Sequence, residues 1–124
     1  MTDTSARAYL ENAVLTASPV RLVVMLYDHA LLKLRTARAA IAARDPKTYG
    51  PAINTASAVL SELQGSLNHE AGGEIATSLE AIYRFAQAEL TRANLRKEAE
   101  RIDAVIRMLT PLREAWEQLS RRAA

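Results

Sequence analysis

A helix start followed by an unbroken apolar run lies near the beginning of the chain, from Ser18 to Tyr27. The Ser18 side chain can accept a hydrogen bond from the free amides of a first helical turn. Pro19 suits the first helical position because it has no N–H to satisfy. Every residue from Leu22 to Tyr27 is apolar, so a helix here would have almost no side that tolerates water. We therefore expect a central helix that several other elements cover.

Composition restricts those other elements to helices. Only four glycines and four prolines occur among 124 residues, a scarcity typical of one all-α domain. The chain has no cysteine, which excludes a disulfide framework, a thiolate nucleophile and a cysteine zinc site. Its net charge is only +2, and basic and acidic residues alternate along the predicted helices. This pattern is typical of solvated, salt-bridged faces and argues against a nucleic-acid partner.

The amino-terminal residues do not predict a secretory signal or a membrane anchor. They lack a basic start and an apolar core. The apolar run 22–27 is far shorter than the roughly 20 residues that a membrane span needs. The sequence therefore predicts a soluble, cytoplasmic protein without membrane insertion.

Apolar residues recur at steps of three and four in four segments, which predicts four amphipathic helices. We expect them from Pro19 to about Ala43, through the region ending at Leu67, from about Gly73 to Asn94, and from a turn within 93–99 to the carboxyl end. Short connections then predict an antiparallel four-helix bundle. The four stripes are Val23, Leu26, Ala30, Leu34, Ala37 and Ile41; Ile53, Ala56, Leu60, Leu63 and Leu67; Ile75, Leu79, Ile82, Ala86, Leu90 and Ala93; and Ile102, Val105, Leu109, Leu112, Trp116 and Leu119. A second stripe on the first helix comprises Leu22, Met25, His29 and Leu32.

Two prolines leave the helix boundaries open. Either Pro46 to Gly50 is a separate turn and the second helix begins near Pro51, or one helix runs through Pro51 with a kink. Pro111 is expected to kink the fourth helix and to free a backbone carbonyl one turn earlier. Between the second and third helices, the segment 68–73 predicts a turn whose glycines can take positive φ.

The leader, residues 1–17, carries a short apolar face made by Tyr9, Leu10, Ala13 and Val14. One interpretation is a helical turn packed permanently on the bundle, and the other is a detachable lid over an apolar groove. The pattern alone favours the first. In either case we expect a single domain over residues 1–124, with the leader at 1–17 and the bundle at 18–124.

No residue pattern predicts catalysis, a metal or a cofactor. The sequence has no Glu-x-x-His motif for a di-metal bundle and no phosphate-binding or nucleophile motif. We expect His29 to be structural and Asp28 to pair with an arginine of a neighbouring helix. The remaining feature is surplus apolar surface, which in a helical protein indicates an amphipathic partner helix in a groove.

Several motifs, in one order along nearly the whole chain, resemble the flagellar secretion chaperone family FliS. They are Ala8-Tyr9, V-L-T-A-S-P at 14–19, M-L-Y-D-H-A at 25–30, Glu62-Leu63 with Ser66-Leu67, G-G-E-I-A at 72–76 with Leu79, Tyr83, Leu90 and Ala93-Asn94, and Leu112-Arg113-x-Ala115-Trp116. The departures are His29 in place of the family's usual glycine, Arg84 where an acidic residue is common, and Pro111 within a helix.

The resemblance implies a chaperone that binds the carboxyl-terminal segment of flagellin, prevents its premature polymerisation and keeps it competent for flagellar type III secretion. It also implies that the leader is a lid, which reverses the preference from the pattern alone. Further implied partners are the flagellar export gate and other flagellar assembly factors. We place the partner contacts at Tyr9, Leu10 and Val14 in the lid and at Leu60, Leu67, Leu79 and Tyr83 in the groove. The alternatives are an adaptor for a different amphipathic client helix and a bundle enzyme with an unrecognised site.

Overall fold

The computed structural model describes residues 18–123, with the backbone alone at residue 123. The helices are α1 (Pro19–Ala42), α2 (Pro46–Gly65), α3 (His69–Arg96) and α4 (Ala99–Ala123), and this part of the chain contains no strand. Helix α1 packs against α2 and α4, and α3 packs against the same two. Since the connecting turns are short, neighbours run antiparallel. The predicted all-α bundle is confirmed, whereas the predicted lid contacts Tyr9, Leu10 and Val14 lie outside the described residues.

Helix α1 begins as the sequence predicts. The Ser18 side chain accepts a hydrogen bond from the Arg21 amide at 3.1 Å, and Pro19 is the first helical residue. No residue from Leu22 to Tyr27 is exposed, which confirms that this apolar run has almost no side in water. Further along α1, Leu32 in the second stripe is 57% exposed. A ring of four helices gives each helix two close neighbours, so the outward face of α1 stays open.

Neither interior proline ends its helix. Helix α2 continues through Pro51, and α4 continues through Pro111. Each ring removes one backbone hydrogen bond, to the carbonyls of Lys47 and Arg107 respectively. Both prolines and both residues four positions earlier are exposed, so water can satisfy the freed carbonyls. Of the two alternatives for the second helix, the continuous one is therefore found.

Helix α3 begins four residues before the predicted start and contains a break. Asn68 caps the helix by accepting a hydrogen bond from the Ala71 amide at 3.0 Å. Gly73 then takes φ 51° and ψ −123°, a non-helical conformation inside α3. The predicted turn at 68–73 is thus a short helical segment followed by a glycine break. The prediction that a glycine here takes positive φ is confirmed.

Helices α1 and α3 end at the same side of the bundle with the same backbone motif. Arg44 and Lys97 have φ of 56° and 57°, in the left-handed region. The residue after each returns a hydrogen bond to the last turn, from the Asp45 amide to the Ala40 carbonyl at 2.8 Å and from Glu98 to Ala93 at 3.3 Å. Glycine is the usual residue at this position because left-handed φ strains other residues. The second motif also confirms the predicted turn within 93–99.

A pair of tyrosines joins α1 and α3 across the core of the bundle. The hydroxyl oxygens of Tyr27 and Tyr83 are 2.6 Å apart, and the two rings lie 6.4 Å apart at 56°. Tyr27 is fully buried, and Tyr83 is 1% exposed. Burial raises the pKa of both phenols. The hydrogen bond gives each of the two buried hydroxyls a partner within an otherwise apolar core. Removal of either hydroxyl would therefore remove the hydrogen-bond partner of the other.

This tyrosine pair predicts a loss of stability in alkaline solution. In the unfolded chain both phenols ionise near pH 10, whereas in the folded chain they stay protonated at higher pH because their pKa values are raised. The unfolded state therefore binds fewer protons above about pH 10, and the free energy of unfolding should fall as pH rises. Urea denaturation from neutral pH to pH 11 should show this fall. The double variant Tyr27→Phe/Tyr83→Phe should show a shallower one, and equal slopes would contradict the assignment.

Candidate functional site

An apolar groove opens at the end of the bundle where α1 begins. Its volume is about 320 Å³, and none of its lining side chains is charged. The turn between α2 and α3 and the first part of α3 supply most of the lining, while α1 and α4 contribute one residue each. The groove consists of Val23, Leu63, Ser66, Leu67, Asn68, Ala71, Gly72, Ile75, Ala76, Leu79, Tyr83 and Trp116.

The break at Gly73 shapes one rim of this groove. Residues on both sides of the break line it, with Ala71 and Gly72 before and Ile75 after. Gly72 is also held close, since a Cβ built on it would lie 3.0 Å from the Ala76 Cβ. The glycine pair therefore turns the chain and allows the short segment 69–72 to lie close to the body of α3.

Replacing Gly73 with alanine should destabilise the protein by about 1–3 kcal/mol, because φ 51° with ψ −123° is a region that essentially only glycine occupies. The strain comes from the backbone, since no neighbouring atom lies within 4 Å of the added Cβ. Gly65→Ala is the matched control. Gly65 is the last residue of α2, no neighbouring atom lies within 4 Å of a Cβ built on it, and alanine there should stabilise by up to about 1 kcal/mol. If the urea midpoints of the two variants moved in the same direction, the requirement for glycine at the break in α3 would be contradicted.

The predicted groove contacts divide into two groups. Leu67, Leu79 and Tyr83 line the groove, with Tyr83 and Leu79 forming its floor because they are only 1% and 8% exposed. Leu60 is different: it is fully buried in the core, does not line the groove and so has no surface for a partner. Its position in an apolar stripe predicted burial but gave no information about which end of the bundle would stay open.

Sequence reasoning did not assign Ile75 and Trp116 to the groove. Ile75 was expected in the buried stripe of α3, but it is 72% exposed. This expectation is wrong because the residue lies at the open end of the bundle, just after the glycine break. Trp116 was expected in the apolar seam of α4, and it is half-buried with its side chain at the groove. An isolated large apolar residue beside a predicted glycine turn was the available signal for Ile75.

Ion pairs along the contact between α1 and α4 consolidate the side of the bundle that carries Trp116. The Arg21 guanidinium donates a hydrogen bond to Glu117 at 2.7 Å. The Arg113 guanidinium donates two to the Asp28 carboxylate, at 2.7 and 3.3 Å. These hydrogen bonds raise the pKa of Arg113. The prediction that Asp28 pairs with an arginine of a neighbouring helix is confirmed, and these charges are engaged with one another beside the uncharged groove.

Residues 18–123 contain no group of three or more potential metal-binding side chains. His29 is half-buried, and burial lowers its pKa below the ordinary value. His69 places Nε2 3.1 Å from the Glu80 carboxylate. None of the helices in this range combines the length and apolar character needed to cross a bilayer.

The fold and the groove together define a helical bundle with an apolar groove at one end. The groove is open at one end, lacks charge and contains the exposed side chain of Ile75. These features suit an amphipathic helix from a partner.

Comparisons with known proteins identify the family. The model of the flagellar protein FliS family matches residues 1–123, and the chain belongs to this family. The flagellar secretion chaperone FliS of Salmonella typhimurium is 38% identical over 120 residues, which cover 96% of this chain and 89% of the relative. That of Bacillus subtilis is 32% identical over 111 residues, which cover 90% and 82%. A solved flagellar chaperone from bacteria has the same fold, with a TM-score of 0.77 at 16% identity over 96% of this chain and 97% of that one.

Membership in this family makes the protein a flagellar export chaperone and not an enzyme.

Proposed function

We propose that the protein binds the carboxyl-terminal segment of flagellin in the apolar groove and keeps that segment from polymerising before export. The observation that supports this most is the groove itself, which has twelve lining residues and no charge among them. An amphipathic client helix could bury its apolar face there and leave its polar face in water. Leu67, Leu79 and Tyr83, together with Ile75 and Trp116, are the proposed contacts.

The size of the groove suggests that it anchors a few client side chains and does not enclose the whole segment. Its volume of about 320 Å³ lies at the lower limit for sites that enclose a small molecule. A longer client would therefore extend from the groove over neighbouring helix faces. If the client is disordered when free, it loses conformational entropy as it folds on the bundle, which keeps the net affinity moderate. Moderate affinity suits a chaperone that must release its client for secretion.

We also propose that the leader, residues 1–17, covers the groove as a lid when no client is bound. Ser18 caps α1, and Val23 in the first turns of the same helix lines the groove. A helix rises 1.5 Å per residue, so the leader joins the bundle within roughly 10 Å of this lining. Tyr9, Leu10 and Val14 are the apolar residues proposed to occupy it.

Deletion of residues 1–15 should then expose apolar surface, increase binding of a hydrophobic dye and promote self-association. Client affinity should also change: it rises if the lid only competes with the client, and it falls if the lid also touches the client. Size-exclusion chromatography and dye fluorescence give the first readouts. Unchanged dye binding, oligomeric state and client affinity would together exclude the lid.

Filament formation by purified flagellin tests the proposed function directly. In the cytoplasm the chaperone would meet newly made flagellin and pass it to the export gate and other assembly factors of the flagellum. Equimolar folded chaperone should therefore suppress seeded polymerisation of flagellin, as followed by light scattering. Flagellin lacking its carboxyl-terminal segment should fail to bind in pull-down. Normal polymerisation together with capture of another helical protein would favour an adaptor for a different client.

A further inference from the structure

A second cavity lies where α1 ends and α2 begins, away from the apolar groove. We call it the loop-end cavity. Its volume is about 430 Å³, and it is lined by Ile41, Arg44, Pro46, Tyr49 and Lys97. The lining includes two cations and no acidic residue. It combines an apolar surface, supplied by Ile41, Pro46 and the buried ring of Tyr49, with positive charge.

The two cations of this cavity are the only non-glycine residues with positive φ in the described part of the chain. Each occupies the position after a helix end where glycine would avoid strain. Backbone strain that is retained at a residue often marks a functional side chain. Here two such residues lie on separate turns, line the same cavity and carry positive charge. This coincidence needs an explanation.

The side chains of Arg44 and Lys97 do not cap the helices that they follow. Within residues 18–123, neither the Arg44 guanidinium nor the Lys97 ammonium makes a hydrogen bond or an ion pair. The acids next to them in sequence have other partners: Asp45 accepts from the Thr48 hydroxyl at 2.6 Å, and Glu98 accepts from Arg101 at 3.0 Å. Both cations are exposed and free to bind an anion.

The helix dipoles contribute little net charge at the loop-end cavity. The carboxyl ends of α1 and α3 and the amino ends of α2 and α4 all lie at this end of the bundle. Each end carries roughly half an elementary charge, negative for the first two helices and positive for the others, so the four ends nearly cancel. Arg44 and Lys97 then make the cavity positive.

We propose that the loop-end cavity binds a carboxylate of an acidic protein segment between Arg44 and Lys97, with an adjoining apolar side chain against Ile41 and Tyr49. Charge complementarity favours an anion, and the apolar part of the lining favours a protein segment over an inorganic ion. Arg44 can hold both carboxylate oxygens through its planar guanidinium, and Lys97 supplies a point charge. The site is separate from the apolar groove and does not depend on the identity of the client there.

Titration of the full chain with two blocked peptides, followed by ¹⁵N–¹H NMR, tests this site. Acetyl-Leu-Glu-Leu-Glu-amide should shift the amides of residues 41–45, 47–49 and 96–99, whereas acetyl-Leu-Gln-Leu-Gln-amide should not. Equal shifts with the glutamine peptide would overturn the role of the carboxylate. Inorganic phosphate that binds as tightly as the acidic peptide and displaces it would overturn the assignment to a protein segment.

Glycine substitution separates the binding role from a structural one. The affinity of the variant Arg44→Gly/Lys97→Gly for the acidic peptide should fall by at least about tenfold, because the variant loses both charged donors. It should also unfold at a higher temperature, because glycine relieves the left-handed strain. Arg44→Gln/Lys97→Gln should lose binding without the thermal gain. Lys97→Arg and the exposed control pair Arg35→Gln/Arg107→Gln should keep it. Wild-type affinity in the glycine variant would overturn the proposal.

Discussion

Replacing Ile75 with aspartate should weaken binding of a flagellin carboxyl-terminal peptide by about ten- to a hundredfold and leave the free energy of unfolding within about 0.5 kcal/mol of the parent. The side chain lines the groove yet is 72% exposed when no client is bound. A docked client would bury it, so aspartate there would lose apolar contact and place a charge in an uncharged site. The substitution also follows the glycine break, near the start of the main part of α3, where a negative charge suits the helix dipole.

Leu95→Asp is the matched control for this prediction. Leu95 is also on α3 and is 77% exposed, but it does not line the groove. Peptide affinity should change by less than about twofold, since the substitution removes no client contact. Fluorescence anisotropy with a labelled peptide measures both variants, and urea denaturation checks that each is folded. Equal losses of affinity in the two variants would show that the groove is not the docking site.

Replacing Leu109 with alanine should lower the free energy of unfolding by about 2–5 kcal/mol. Leu109 lies in the middle of the apolar seam of α4 and is fully buried in the core. Alanine would remove buried apolar surface and leave a cavity that the packed helices can close only in part.

Leu119→Ala offers a comparison within the same seam. Leu119 is 46% exposed, and its truncation should cost less than about 1 kcal/mol. Urea denaturation of the two variants gives the difference directly. A loss below about 0.5 kcal/mol for Leu109→Ala would contradict the packing register of α4.

Local chemistry and periodicity were sufficient to predict that the chain forms four helices, although not all of their boundaries. Ser18 and Pro19 identified the start of α1, and the step-three-and-four stripes identified residues that are buried in all four helices. These signals depend only on residues close in the sequence, so they can be recognised without knowledge of the tertiary structure. The two interior prolines were harder to interpret, because the cost of a proline depends on whether water can reach the freed carbonyl.

The groove was harder to predict because burial at the end of a bundle depends on where neighbouring helices stop. The stripes placed Leu60 and Leu79 alike, yet Leu60 is in the core and Leu79 lines the groove. The hydrogen bond between Tyr27 and Tyr83 joins residues 56 positions apart, which periodicity cannot reveal. The resemblance to known chaperones indicated the kind of partner, but the geometry was needed to find Ile75 and Trp116.

Isothermal titration calorimetry with a peptide of about the last forty residues of the same organism's flagellin tests the central claim most directly, and measurements at several temperatures give the heat-capacity change. We predict one-to-one binding, a negative heat-capacity change from apolar burial, and a gain of helix on mixing seen by circular dichroism. Affinity should fall only weakly from low to moderate salt, since no charged residue lines the groove. Absence of heat and of helix gain at tens of micromolar, with chaperone shown to be folded, would contradict flagellin binding by this protein.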